Sequence, residues 1–415
     1  MKAKENKKVD EKIHIKRKID IKTYFKNKSI LEKRNIIFSI ICIMAILVLL
    51  LIPTGFEKQI YNNAESVKAR VISTDESSIY ETGLIKQGDQ ICKIEILNGS
   101  FKGETVEAVN LLTGKLEVDK MFKAGDTAFV LLEKSNDGEL VFANMVDHYR
   151  LNIEILLVGL FVTLLVIFSG STGVRTIISF AFTLLCILKI FVPMLLKGYH
   201  PMVVALVIGI MISTVTLILV AGFTKKAYCA IAGTILASLA TCVLAIVFGN
   251  LFKIHGAVMQ WSESLLYAGY QNIDLTLIYQ SGIYLSCSGA ILDLAIDISA
   301  AIEELVEKNP DISRKEILIS GLNIGKSIVG SQTTTLLLAY MGSFIAVMMV
   351  YMAQGTPLLS ILNTKFISSE ILHTFVGCTG LVIVSPLTAI ICSYVYKLNS
   401  IKKIDIINLK DKVVD

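Results

Sequence analysis

Asp293, Asp297 and Lys326 are ionisable residues set in runs that are otherwise apolar or small. The two carboxylates fall in Gly-Ile-Tyr-Leu-Ser-Cys-Ser-Gly-Ala-Ile-Leu-Asp-Leu-Ala-Ile-Asp (282–297). The lysine falls in Ser-Gly-Leu-Asn-Ile-Gly-Lys-Ser-Ile-Val-Gly-Ser-Gln-Thr-Thr-Thr (320–335), together with Asn323, Gln332 and Thr334. A four-residue spacing puts Asp293 and Asp297 on one helix face. A carboxylate at the centre of a bilayer costs roughly 2.5–3.5 kcal/mol on insertion scales, so an ionisable residue there is a functional-site candidate by default. The chemistry these groups suit is carriage of a proton or a small cation. Lys326 and Asn323 lie on the next segment, close enough across a hairpin to answer the carboxylates, while Gln332 and Thr334 add amide and hydroxyl groups.

Each residue also has a plainer reading. If the first run ends near Leu294, then Asp297, Glu303 and Glu304 are simply solvated. Lys326 can snorkel to an interface. Gly321 and Gly325 form a GxxxG pair, extended by Gly330 and Ser331, that suits close helix packing. The threonines at 333–335 can bond carbonyls one turn back. Gly325-Lys326-Ser327 imitates a phosphate loop, but that pattern needs Gly at position 320, which is Ser, and a preceding strand. ATP-driven transport by this chain alone is therefore excluded. No HExxH, no GxSxG and no second intramembrane aspartate motif is present, so no enzyme is expected. Seven of the eight cysteines sit in apolar runs and only Cys92 lies in a polar region, which leaves no disulfide framework. His14, His148, His200, His255 and His373 are scattered, and neither a metal nor a cofactor is expected.

The elements that must position these residues are membrane spans. Of the 415 residues, 53% are hydrophobic and 18% charged, with mean hydropathy +0.65; soluble domains sit near 25% charged. The net charge of +5 is concentrated at the start, where residues 1–35 hold thirteen Lys/Arg against five Asp/Glu. Ahead of an apolar run this is a cytoplasmic retention signal that touches anionic lipid, not a nucleic-acid site. The run 36–52 is long enough to span, and no cleavage site follows it, so it is expected to be an uncleaved anchor. Residues 53–150 then alternate in short stretches (91–96, 105–109, 128–132, 140–144) between Gly88-Asp89, Asn98-Gly99, Thr113-Gly114, Gly125-Asp126 and Asp137-Gly138. Such punctuation predicts a small antiparallel barrel or sandwich outside the cytoplasm. Further apolar segments cover 151–168, 174–192, 202–221, 227–248, 273–294, 317–352 and 371–396.

The expected fold is thus a mainly α membrane protein of about eight transmembrane helices with a small β-rich extracytoplasmic domain after the first. The expected divisions are a basic cytoplasmic tail 1–35, an anchor 36–52, the β-rich domain 53–150, a seven-helix membrane domain 151–396 and a cytoplasmic tail 397–415. Lys/Arg placement puts both termini inside. Two regions depart from simple spans. His255–Asn272, with Trp261, Tyr267 and Tyr270, suits an interfacial helix. Glu316–Met352 is too long for one upright span and is expected to break into a half-helix 316–330 and a span 331–352.

The chain resembles the YibE/F-like family of bacterial multi-pass membrane proteins. The resemblance rests on 288–297 (Ser-Gly-Ala-Ile-Leu-Asp-Leu-Ala-Ile-Asp), Asn309-Pro310, 320–326 (Ser-Gly-Leu-Asn-Ile-Gly-Lys) and 330–340 (Gly-Ser-Gln-Thr-Thr-Thr-Leu-Leu-Leu-Ala-Tyr). This chain departs from the family's pattern at Ser327, where an acidic residue stands, and at 332–335, where Met-Thr-Asn-Thr stands. The resemblance implies the order anchor, small extracytoplasmic domain and bundle, in a bacterial cell membrane; it brings no catalytic residues. The function expected from the residues is a secondary transporter or exporter of a small solute or ion, coupled to protons or sodium, with its site between the sixth and seventh segments. The alternative is a scaffold or assembly protein whose extracytoplasmic domain binds an envelope protein. Expected partners are the lipid bilayer and the solute or ion, with an envelope protein or a second copy of the chain also open and no nucleic acid.

Overall fold

The computed structural model describes residues 30–56, 63–135 and 137–411, with side chains to Lys397 apart from Ser343. Positions 1–29 of the basic tail and the last four residues lie outside the described residues. The chain divides into two compact units, Glu57–Phe168 and the remainder.

The first unit is a closed five-stranded barrel. Its strands β1 (Ala64–Thr82), β2 (Ile85–Ile96), β3 (Thr105–Thr113), β4 (Thr127–Lys134) and β5 (Leu140–His148) close in the order β1-β2-β3-β5-β4. Period-2 alternation drives the closure: Val67, Ala69 and Val71, then Cys92, Ile94 and Ile96, then Ala128, Val130 and Leu132 point inward to one buried cluster. Phe122, from the β3–β4 connection, fills the barrel end, and its backbone N–H donates to Gln90 Oε1 at 3.0 Å. Gln90 Nε2 donates back to the Phe122 carbonyl at 2.9 Å.

The four alternating stretches all become strands, but β1 was not foreseen. Its second half, with Asp75, Glu76, Ser77 and Ser78, has no hydrophobic alternation, and its register slips at Val71/Ser73 and Asp75/Ser78. Gly88-Asp89, expected as a turn, lies inside β2. Gly88 has φ 115, and a Cβ there would strike the Ser78 carbonyl, so this glycine serves close backbone approach at an irregular pairing.

The second unit is a helical bundle. After α1 (Ile30–Leu51), α2 (Leu151–Cys186) begins in the barrel unit and ends in the bundle, broken only at Gly170 (φ 55, ψ −127). A π turn (Ile187–Phe191) and α3 (Val192–Leu196) extend it. Then come α4 (Pro201–Ala221), α5 (Lys225–Leu251), the six-residue α6 (Ser262–Tyr267), α7 (Leu275–Lys308), α8 (Arg314–Met341), α9 (Ile345–Ala353), α10 (Leu358–Leu362) and α11 (Lys365–Asp411). Caps fix several starts. Thr224 accepts from Ala227 N–H, Asp274 accepts from Leu277 N–H, and Ser313 and Glu316 make a capping box.

Among the described residues, six helices could cross a membrane by length and composition: Ile30–Leu51, Leu151–Leu196, Pro201–Ala221, Lys225–Leu251, Leu275–Lys308 and Lys365–Lys397. A seventh is the pair α8 and α9, bent by 64°. The expected eight differ by one, because 151–168 and 174–192 are halves of a single run that Gly170 interrupts. The break expected near residue 330 falls instead at Gly342–Phe344. Thr333, Thr334 and Thr335 donate to the Val329, Gly330 and Ser331 carbonyls at 2.9, 3.1 and 3.1 Å. These bonds absorb the polar run into α8. The segment 255–272, expected as one interfacial helix, holds a short 3-10 turn (Gly256–Val258) and α6 instead.

At the centre stands α7, packed by α4, α5, α8 and α11. Ile291, Leu294, Ala295, Ile298 and Ile302 on α7 are fully buried.

Candidate functional site

The buried faces of α7 leave one stripe open. Gly282, Ser286, Gly289, Asp293, Asp297 and Glu304 are exposed, at spacings that return to the same side of a helix. Glu304 stands eighteen positions after Ser286, about 27 Å of rise at 1.5 Å per residue, close to the roughly 30 Å of a hydrocarbon core.

Asp293 and Asp297 share this stripe, as the spacing predicts. Among the described residues neither has a hydrogen-bond or ion-pair partner. The seam between α7 and α8 is made by other residues. A Cβ at Gly321 would fall on Ile302 and Ala389, and one at Gly325 on Ser385 of α11, with Ile298 next. The GxxxG pair is therefore where three helices meet. Asn323, Lys326 and Thr334 are exposed on α8 and Gln332 is half-buried. Lys326 and Asn323 form no bond with either carboxylate among the described residues. Where α8 approaches α7 at its two glycines, α7 presents Ile302 and Ile298 rather than its carboxylates.

At the Ser286 end the stripe meets a cluster that sequence reading missed. Ser286 Oγ lies 2.6 Å from His373 Nε2. The other ring nitrogen, Nδ1, lies 3.8 Å from Glu370 Oε2, beyond hydrogen-bond range but within that of an ion pair if the ring is protonated. The Tyr340 ring stacks on His373 with centroids 4.1 Å apart, and its hydroxyl is 3.6 Å from Cys287 Sγ. Ser286 also lies 2.9 Å from the Ile283 carbonyl. With its one proton on that carbonyl, the hydroxyl accepts from Nε2–H; with the proton turned to Nε2, it donates. A group that can do either can hand a proton on. The cluster ties α7, α8 and α11 together. Its components lie 87 residues apart, and Glu370 stood just outside the apolar run expected at 371–396. The available signal was Glu370 and His373 at i, i+3 beside an apolar segment.

The opposite end of α7 is also closed by ionisable groups. Glu303 pairs with Lys226 at 2.8 Å and accepts from the Tyr396 hydroxyl at 3.1 Å. Glu304 is exposed and pairs with Lys308 at 2.7 Å. The solvated reading therefore holds for Glu304 and not for Glu303. No three His, Cys, Asp or Glu side chains gather in a metal-binding arrangement among the described residues.

The chain matches two family models that together cover most of it. The model of the YibE/F-like protein matches residues 157–398, and that of the YibE/F family N-terminal domain matches 60–148. The chain belongs to the YibE/F-like family. Comparison with curated proteins and with solved structures finds no match. The first match takes in the whole α7 stripe and the His373 cluster, and the second takes in all five strands.

Proposed function

We propose that this YibE/F-like chain is a secondary transporter or exporter of a small solute or ion in a bacterial cell membrane, driven by protons or sodium along the open face of α7. The observation that carries the reading is the stripe itself. The central helix α7 keeps one side free of apolar cover and places Ser286, Asp293 and Asp297 on it. Two carboxylates left toward lipid tails would each cost roughly 2.5–3.5 kcal/mol, so this side lines a water path. The His373 cluster at one end and the Glu303–Lys226 pair at the other are suited to loading and release.

Both termini are placed in the cytoplasm, with the barrel outside. Arg175, Lys225, Lys226, Lys308, Arg314 and Lys315 then fall on inner segments against Lys197, Lys253 and Lys365 outside. Gly170 serves as the inner turn between two spans, which brings the count to eight.

The test is flux in proteoliposomes across a panel of ions, amino acids and drugs, with an imposed pH or sodium gradient. Asp293→Asn keeps size and hydrogen bonding but removes titration. It is expected to insert normally and lose gradient-driven flux. An Asn variant with full flux, or wild-type flux indifferent to both gradients, would remove Asp293 from the mechanism and favour the scaffold alternative.

A further inference from the structure

The barrel has a free apolar tip whose place follows from strand register. β1 runs against β4, from Ala64↔Glu133 to Arg70↔Thr127, so its remaining residues continue past the start of β4. That end is also where β5 finishes, since Ala128 pairs with His148. β3 runs parallel to β5 and ends there too, with Thr113 opposite Gln87. The β1–β2 hairpin tip, the start of the β3–β4 connection and the exit of β5 therefore share one end of the barrel. From it Tyr149 and Arg150 lead directly into the apolar helix starting at Leu151.

The residues at this end are the wrong kind for water. The hairpin turn is Gly83-Leu84, with Gly83 at φ 64; two-residue turns favour Asn, Asp and Gly. Leu84 is 85% exposed and Tyr80 76%. In the β3–β4 connection Leu116 is 70% and Val118 49% exposed. They are not held out by looseness. Asp119 accepts from Thr113 N–H, Thr113 Oγ1, Gly114 N–H and Lys115 N–H at 2.7–2.9 Å, which locks the turn that displays them. The charges at this end are mixed: Lys86 pairs with Glu81 at 2.6 Å, and Lys115 and Lys120 share their connection with Glu117 and Asp119.

The geometry points to a membrane-dipping tip: Tyr80, Leu84, Leu116 and Val118 enter the headgroup layer of the bilayer that the helix starting at Leu151 crosses. Apolar and aromatic side chains displayed at the end that leads into a membrane helix are what an interfacial lipid contact requires. This goes beyond the transport reading and rests only on the membrane placement of that helix.

The chain has one tryptophan, Trp261, so single-Trp variants can test it. In a Trp261→Phe background, Leu84→Trp and Leu116→Trp report the tip, and Asp137→Trp reports the β4–β5 turn at the far end. The full chain is placed in phosphatidylcholine–phosphatidylglycerol vesicles with brominated acyl chains. Several-fold stronger quenching at 84 and 116 than at 137, with iodide reaching 137 best, is expected. Equal iodide access at all three positions would overturn the proposal by placing the tip in water. Protection at 84 and 116 from both quenchers would overturn it in favour of a protein partner or a second copy. The two tip positions sit in separate loops, so a misfolded variant at one leaves the other as the test.

Discussion

His373 is held on three sides by groups that could pass it a proton or keep its ring in place. Ser286 contacts Nε2, Glu370 stands off Nδ1, and Tyr340 covers one face. His373→Phe keeps a ring to stack on Tyr340 while removing both nitrogens. If the stripe carries protons, this variant should insert and melt like the parent, yet lose gradient-driven flux by about tenfold or more, at or below the low end of what a positioned acid–base group contributes. Unchanged flux would reduce the cluster to a packing contact. In the barrel, Glu65 shows the opposite use of charge. Its carboxylate accepts from Lys134 Nζ and from the Ser100 hydroxyl and N–H, which holds it down from an ordinary 4.5 to about 2. A folded-state value below the unfolded one stabilises above the unfolded value, and that contribution is lost as pH falls from 4.5 toward about 2. Barrel melting temperature should therefore fall across this window, and Glu65→Gln should melt lower at neutral pH with a flatter acid limb. An identical acid limb in the variant would assign the loss to other carboxylates.

Two glycines on α8 have opposite roles at the level of the helix. Gly325 lies against Ser385 and Ile298, with no room for a Cβ, whereas Gly330 has open space around it. Gly325→Ala should force α8 off α11 and cost about 1–3 kcal/mol, as overpacking does, with partial recovery in combination with Ser385→Ala. Gly330→Ala meets nothing and should be neutral or stabilising by up to about 1 kcal/mol, the helix-propensity difference. Detergent-solubilised melting of the four proteins would show this order; equal losses at both glycines would remove the packing explanation. The GxxxG spacing alone pointed to a packing role but not to the partner, because Ser385 and Ala389 lie 60 or more residues away. The same limit explains the site. The i, i+4 spacing of Asp293 and Asp297 put them on one face without help from the fold. Which face it was depended on how Ile298 and Ile302 pack against α8, and helix spacing alone cannot report that. β1 was hidden because its second half, with Asp75, Glu76, Ser77 and Ser78, breaks the alternation that Val67, Ala69 and Val71 begin, whereas β2 to β5 showed theirs.

The molecule as a whole joins two units, each with its own core. The barrel encloses Val67, Ile94, Val130 and Met145, and the bundle cores are built on α4, α5, α7, α8 and α11. No disulfide links elements in either unit among the described residues, and Cys92 is buried as a small hydrophobe inside the barrel. The barrel should therefore unfold as a cooperative step of its own, as small domains with independent cores do. Phe122 is the sharpest handle on that step. It is fully buried at the barrel end and is bonded through its backbone to the side chain of Gln90 on β2. Phe122→Ala should remove about 3–5 kcal/mol by transfer loss and cavity formation. For a domain of 60–100 residues each kcal/mol moves the midpoint by roughly 4–8 °C, so the barrel transition should drop by about 12 °C or more. The bundle transition should stay in place, and it should be the one that Gly325→Ala shifts. Calorimetry of the full chain in detergent, with and without reductant, separates the two. A single transition that moves with both substitutions would mean that the units fold as one, and a large shift on adding reductant would mean that a sulfur bridge forms after all.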